Sequence, residues 1–281
     1  MQDFLELAVS ATASGCVYGL IALSYLLMIR PTGIINFAVG EWAMVAAFGG
    51  YVLLTKYELP YLLGVPVILA FMLAVGWVSE RIAVRPLVEK GAPLLAPILG
   101  LLGVLVITRE IISVSFPPDP LPVPFPVEIQ YYKYFIIAVT VAVFGGFWLF
   151  FEKTLWGRTF EAVALNRRAA ALMGINLSRV TAFSFAGGAA VAGLGGLLVS
   201  PNISAHYLMG VPLAIQGFTA LVIGGVGRVE GALIGGLLIA FAEQFTLRYA
   251  PIPSGFAQAV PLIFLLVFLI FRPTGLLRAR A

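Results

Sequence analysis

EKTLWGRTFEAVALNRRAAALMGINLSR, residues Glu152–Arg179, is a polar island in an apolar chain. It holds five basic and two acidic residues. A protein that lives in lipid has little reason to keep such a segment unless it faces water and meets something there. The flanking runs, Tyr132–Phe151 and Val180–Ser200, are each about long enough for a bilayer, which takes roughly 20 residues per helix. Island and flanks together predict an all-α, polytopic integral membrane helical bundle.

Working outward, the composition agrees. The hydrophobic fraction is 61% and the charged fraction 11%, against about 25% charged in soluble domains. Segments of alternating hydrophobicity, the mark of a transmembrane β-barrel, are absent. Apolar runs bounded by charge or by Pro and Gly predict nine spans: Leu7–Ile29, Ile34–Thr55, Tyr61–Val84, Pro93–Ser115, Tyr132–Phe151, Val180–Ser200, Val211–Gly227, Gly231–Tyr249 and Gly255–Phe271. Val211–Gly227 is short and glycine-rich and reads as broken or re-entrant, so eight to ten crossings fit. The first run exceeds the roughly 7–15 apolar residues of a signal peptide, and Asp3 and Glu6 precede it. It reads as a retained span. Residues 1–281 then form one transmembrane domain with a polar loop at 152–179.

If nine spans alternate, thirteen of the seventeen Lys and Arg residues fall on one side. Lys56, Arg109, Lys133 and Arg248 do not. The positive-inside rule then places the N-terminus outside the inner membrane and the C-terminus in the cytoplasm. FPPDPLPVPFP, Phe116–Pro126, lies outside and cannot be helical, because proline lacks the N–H donor and clashes with the preceding turn.

Within the island, Thr159 is a candidate helix cap and Glu161 a first-turn acid suited to the helix dipole. Leu165, Ala169, Leu172 and Met173 follow helical spacing and form one apolar stripe. Gly174 is placed to end the helix and Asn176 to start the next. Two readings of that stripe stay open on pattern alone. One is a helix lying on the membrane surface; the other is a helix seated in a groove of a cytoplasmic partner.

Other residues exclude chemistry more than they suggest it. Cys16 is the only cysteine, so no internal disulfide or thiolate metal cluster is expected. His206 is the only histidine and has no neighbouring carboxylate. No catalytic dyad, metal site or other cofactor is expected. No G-x-x-x-x-G-K-[ST] run occurs, so the chain has no phosphate-cradling loop of its own. The basic excess marks cytoplasmic loops rather than nucleic-acid binding. Three polar residues in apolar runs are candidates for a translocation path: Asn36, Glu41 and Gln216. A buried carboxylate must pair, protonate or face water, so a structural network at Asn36 and Glu41 is the favoured reading over a place beside the path. Glu243 and Gln244 read as a local network with Arg248, and Arg109-Glu110 as a paired or snorkelling site. Arg30-Pro31-Thr32-Gly33 and Arg272-Pro273-Thr274-Gly275 repeat four letters and read as shared interface chemistry.

The segment from Glu161-Ala162 to Gly174-Ile175 resembles the cytoplasmic loop by which ABC-importer permeases dock on their ATPases. Gly33-Ile34-Ile35-Asn36-Phe37-Ala38 with Gly40-Glu41 resembles the N-terminal hallmark of branched-chain amino-acid permeases. Gly224-Gly225-Val226-Gly227 with Glu230-Gly231-Ala232, and Arg272-Pro273-Thr274-Gly275-Leu276, resemble their C-terminal signatures. The short length without an N-terminal extension is similar to the smaller permease of the pair. The resemblance implies coupling to an ATPase through Glu161, Ala162, Asn166, Arg167, Gly174 and Ile175. It also implies a second permease subunit, two cytoplasmic ATP-binding subunits and an extracytoplasmic substrate-binding protein. Cargo would be a branched-chain or other hydrophobic amino acid, or urea or a short amide on the same scaffold. An ion-coupled secondary transporter would have Glu41 as its coupling group. A membrane enzyme would need clustered catalytic side chains, which the lone His206 argues against.

Overall fold

The computed structural model describes residues 2–249, 259–272 and 275–277. Its helices are α1 (Gln2–Thr32), α2 (Val39–Gly50), α3 (Tyr61–Ser79), α4 (Arg85–Glu89), α5 (Leu95–Ser115), α6 (Tyr132–Lys153), α7 (Leu155–Leu165), α8 (Arg167–Leu172), α9 (Leu177–Ile203), α10 (Gly210–Gly224), α11 (Val229–Tyr249) and α12 (Ala259–Phe271). A wider π-turn at Tyr51–Lys56 extends α2, and another at Glu80–Val84 joins α3 to α4. Among the described residues, six helices are long and apolar enough to cross a bilayer: Phe4–Thr32, Tyr61–Glu89, Leu95–Ser115, Ile129–Lys153, Leu177–Ile203 and Val229–Tyr249. Among the described residues there is no strand, only an isolated bridge between Leu121 and Ala205.

Each expected span has a helix, with starts shifted by up to five residues, as at α1, which begins at Gln2 rather than Leu7. The second was expected from Ile34 but is helical only from Val39. Gly33 takes a positive φ of 71°, which stops α1 and leaves 33–36 non-helical. The shortness expected of the seventh is real. With 15 residues at about 1.5 Å per residue, α10 falls short of a hydrocarbon core of about 30 Å. The expected start of the last span at Gly255 lies outside the described residues, as do Pro273, Thr274, Arg278 and Arg280.

The bundle has two distinguishable ends. At one, α7 and α8 meet the last turn of α1, and residues 226–230 line the same cleft. At the other, the proline-rich loop straps several helices together. The Thr55 hydroxyl donates to the Pro122 carbonyl at 3.0 Å, and the Tyr61 hydroxyl donates to the Pro124 carbonyl. Leu121 and Ala205 exchange backbone bonds of 2.9 and 2.8 Å. The loop is non-helical, as its prolines require.

Between the ends, two three-helix units pack reciprocally. α1, α2 and α3 form one; α9, α10 and α11 form the other. In each, a long helix is followed by a non-helical return (33–38 and 204–209), a short helix and a third helix. The units run in opposite directions between the two ends. Each third helix packs on the other unit's first helix. Gly76 of α3 lies on the Phe185 carbonyl of α9, and Gly236 of α11 on the Gly15 carbonyl of α1. A side chain at either glycine would collide with that backbone, and such small residues are how helices approach closely in lipid. Among the long helices α1 and α9 are the most enclosed, whereas α3, α5, α6 and α12 present rows of exposed Leu, Val, Ile and Phe.

Candidate functional site

The polar island folds as two short helices rather than one. Thr154, not Thr159, caps the first: its backbone is extended and its Oγ1 accepts from the Gly157 N–H at 3.0 Å. Thr159 lies inside α7 and donates back to the Leu155 carbonyl. The early start depends on Gly157, which lies against the backbone of Phe150 and Phe151 where a Cβ would collide. α7 therefore folds back tightly on α6 and buries Phe160 and Val163. Phe160 packs edge-on to Phe150 and Phe151. Asn166 then breaks the helix with φ −151° and ψ 99°, and its Oδ1 accepts from Ala169 N at 3.0 Å to start α8.

α8 ends as expected at Gly174, with φ +83°. Gly174 N bonds the Ala171 carbonyl at 3.0 Å and Ile175 N bonds the Ala170 carbonyl at 3.1 Å. This pair of bonds is the Schellman arrangement, which a left-handed glycine permits. Asn176 caps α9 through Arg179 N, also as expected. The break at Asn166 interrupts the predicted stripe. Leu165, Leu172 and Met173 are nonetheless 79%, 88% and 83% exposed.

Two charged residues of the island reach the end of α1, whereas Glu152, Lys153, Arg158, Arg168 and Arg179 are exposed. Glu161 lies 3.8 Å from Arg30. Arg167 Nη1 donates to the Pro31 carbonyl at 3.1 Å, and partial burial lowers the Arg167 pKa from its usual value. Arg30 also lies over the Phe151 ring at 5.5 Å. Ala162 is half-buried, and Ile175 packs on the core. Both anchors thus seize the last turn of α1. Beside them a cleft of about 630 Å³ is lined by Arg30, Trp148, Glu161, Arg228 and Glu230 among others.

From Pro31 the chain turns back into the bundle. The buried Asn36 pins this return: its Oδ1 accepts from Ala38 N at 2.9 Å and its Nδ2 points at Met28 sulfur at 3.4 Å. Glu41 follows in the first turn of α2 and is 1% exposed. Its carboxylate occupies the place a side chain on Gly210, in the first turn of α10, would take. Gly40 in turn lies against the Gly210 carbonyl and the Ala214 methyl. The N-terminal ends of the two short helices therefore meet around one carboxylate, which suits the positive ends of both dipoles. Arg109 Nη2 of α5 completes the group at 2.5 Å from Glu41 Oε1. Glu41 Oε2 and Arg109 Nε have no hydrogen-bond partner.

Asn36 and Glu41 therefore flank one break without bonding each other, and Arg30 joins neither. Gln216 belongs to a second group. Its Nε2 donates to Glu243 at 3.3 Å, and the Tyr18 hydroxyl donates to Glu243 Oε2 at 2.8 Å. The expected Glu243–Arg248 network is replaced by one linking α1, α10 and α11. Residues five apart on a helix do not face each other, and Arg248 is exposed. Arg109 and Glu110 likewise part company, Glu110 going to Ser113. Spacing does not reveal that Arg109 pairs with Glu41, that Tyr18 bonds Glu243, or that Thr154 and Asn166 cap α7 and α8. One signal is present: Glu41 stands alone in its apolar run, and Arg109 has only Glu110 beside it in another.

The family model described as "Branched-chain amino acid transport system / permease component" matches residues 7–271. The chain is 30% identical to the high-affinity branched-chain amino acid transport system permease protein BraD of Pseudomonas aeruginosa, over 99% of this chain and 96% of that one. It is 27% identical to the corresponding permease protein LivH of Escherichia coli, over 98% and 95%. Among solved structures, PsaBC from Streptococcus pneumoniae in complex with Fab matches with a TM-score of 0.55 at 12% identity, covering 94% of this chain and 91% of that one. That last likeness supports the helical membrane fold alone. The multi-pass bundle, the full-length family match and the full-length relatives converge: this chain belongs to the branched-chain amino acid transport system permease family.

Proposed function

We propose that this permease moves branched-chain or other hydrophobic amino acids inward, powered by separate ATPase subunits that dock on α7 and α8. A second permease, two cytoplasmic ATP-binding subunits and an extracytoplasmic binding protein complete the importer. The observation that carries the reading is the form of the 155–175 element. It exposes Leu165, Leu172 and Met173 at its tip while Glu161 and Arg167 grip the last turn of α1. Such a tip suits an apolar groove on a partner, and such a grip hands a displacement to the spans. Ligand-driven change needs differential contacts in the two states; the short helices α2 and α10, meeting at Glu41, are elements whose packing can differ. The basic residues gathered at the α7–α8 end support a cytoplasmic location for that end and an outer location for the proline-rich loop. The relatives' printed cargo supports amino acids over urea or short amides.

The test is ATP-dependent uptake by the reconstituted complex of a panel of branched-chain, aromatic and charged amino acids, urea and acetamide. Saturable uptake of the branched-chain members that stops without ATP supports the reading. Uptake that survives ATP removal and collapses with an ion gradient replaces it with a secondary transporter.

A further inference from the structure

The ion pair between Glu41 and Arg109 is a costly feature. A charge in a bilayer interior is expensive, and a buried pair replaced by well-packed apolar groups is often neutral or stabilising. Stability therefore does not explain it. The pair is also incompletely satisfied: one carboxylate oxygen and the guanidinium Nε have no partner. Glu41 is enclosed, but the Arg109 side chain is 27% exposed, so the pair is approachable from the α5 side. The first turn of α10, where Gly210 and Val211 offer N–H groups and Pro212 has none, adjoins the carboxylate. Interrupted helices of this kind are where membrane transporters bind cargo, their N-termini aimed at anionic groups.

We infer that Glu41, Arg109 and the first turn of α10 form a transient binding subsite for the zwitterionic head of an α-amino acid. The cargo's ammonium group replaces Arg109 at Glu41. Its carboxylate is taken by the two-pronged guanidinium of Arg109 and the Gly210 and Val211 N–H groups of α10. Without cargo the two side chains neutralise each other, so the site carries no net charge. With cargo, one internal ion pair is exchanged for two external ones. That exchange keeps affinity low, as a site that must release its cargo requires. Urea, amides and sugars carry neither charge and cannot make the exchange. The inference rests on the amino-acid importer reading and adds the subsite and the chemical groups it reads.

The experiment measures binding of radiolabelled leucine to the detergent-solubilised complex of permeases and ATPases, with the binding protein left out. The competitors are isoamylamine, which lacks the carboxylate, and 4-methylpentanoate, which lacks the ammonium. The variant is E41Q/R109Q, which removes both charges together and so leaves no orphaned buried ion. The expected result is saturable millimolar binding, competition at least tenfold weaker by either analogue, and loss of binding in the variant. Wild-type complex that binds no leucine, or a variant that binds as the wild type does, overturns the inference. If the double variant does not assemble, R109K decides. It keeps the charge but loses the planar fork, and binding weakened at least fivefold is expected, with unchanged binding as the contrary result. ATP-driven leucine uptake by the wild type separates the two levels. Its absence removes the importer reading, whereas its presence beside equal uptake by E41Q/R109Q removes only the subsite.

Discussion

Arg167 donates to the Pro31 carbonyl across 3.1 Å, and this bond joins α8 to the last turn of α1. Pro31 lies two residues before Gly33, where the chain leaves α1 and turns back toward Glu41. The bond therefore sits at the start of the route from the exposed tip to the meeting of α2 and α10. Arg167→Ala leaves the tip intact, so ATPase subunits are expected to copurify normally. Uptake per ATP hydrolysed is expected to fall several-fold, because the grip on α1 is lost. Parallel uptake and hydrolysis measurements in the same proteoliposomes check this; an unchanged ratio would show that the bond transmits nothing.

Gly174 offers a separation of shape from contact. Its φ is +83° and no atom lies within 4 Å of where a side chain would start. A β-branched residue there meets only backbone strain, roughly 1–2 kcal/mol for a left-handed conformation. Gly174→Val is expected to distort the α8–α9 turn and lower ATP-driven uptake about tenfold. Gly174→Asn, which tolerates this conformation better, is expected to keep most of it. Equal activity of the two variants would contradict a role for the turn.

At Gly210 the constraint is contact instead. A Cβ would lie 2.6 Å from Glu41 Oε2, and overpacking of this kind costs about 1–3 kcal/mol. Gly210→Ala is expected to lower the thermal midpoint of the solubilised permease by several degrees. Gly103→Ala, which meets nothing within 4 Å, serves as the control and is expected to leave it unchanged. Equal midpoints would mean that the carboxylate does not sit against α10.

The spans were legible because lipid imposes long apolar runs and water imposes charge between them. Gly174 and Asn176 were legible because a left-handed glycine followed by a capping side chain is a local signal. The break at Asn166 was not, since an asparagine within helical spacing reads as part of the helix until its own backbone leaves it. The tight return of α7 on α6 depends on Gly157 meeting Phe150 and Phe151, a contact that spacing alone does not reveal. Glu41 was legible as a problem but not its solution, because Arg109 is 68 residues away on another helix. Tyr18 and Glu243, 225 residues apart, pose the same difficulty. Pairings between helices depend on packing, which one-dimensional periodicity does not encode.

Orientation is open to a simple chemical test, since the single native cysteine, Cys16, is buried. Asp119 in the proline-rich loop and Arg168 in α8 are both exposed. Asp119→Cys is expected to react with a membrane-impermeant thiol reagent on intact cells. Arg168→Cys is expected to react only after the membrane is opened. The reverse pattern would invert the topology.

Power transfer requires the tip of α7 and α8 to meet the ATPase. A photo-crosslinking amino acid at Leu172, 88% exposed in the isolated chain, tests it most directly. Irradiation of membranes containing the assembled transporter is predicted to yield an adduct between this permease and an ATP-binding subunit, with a yield that changes between nucleotide-free and ATP-bound states. Adducts with phospholipid alone, in every nucleotide state, would contradict it.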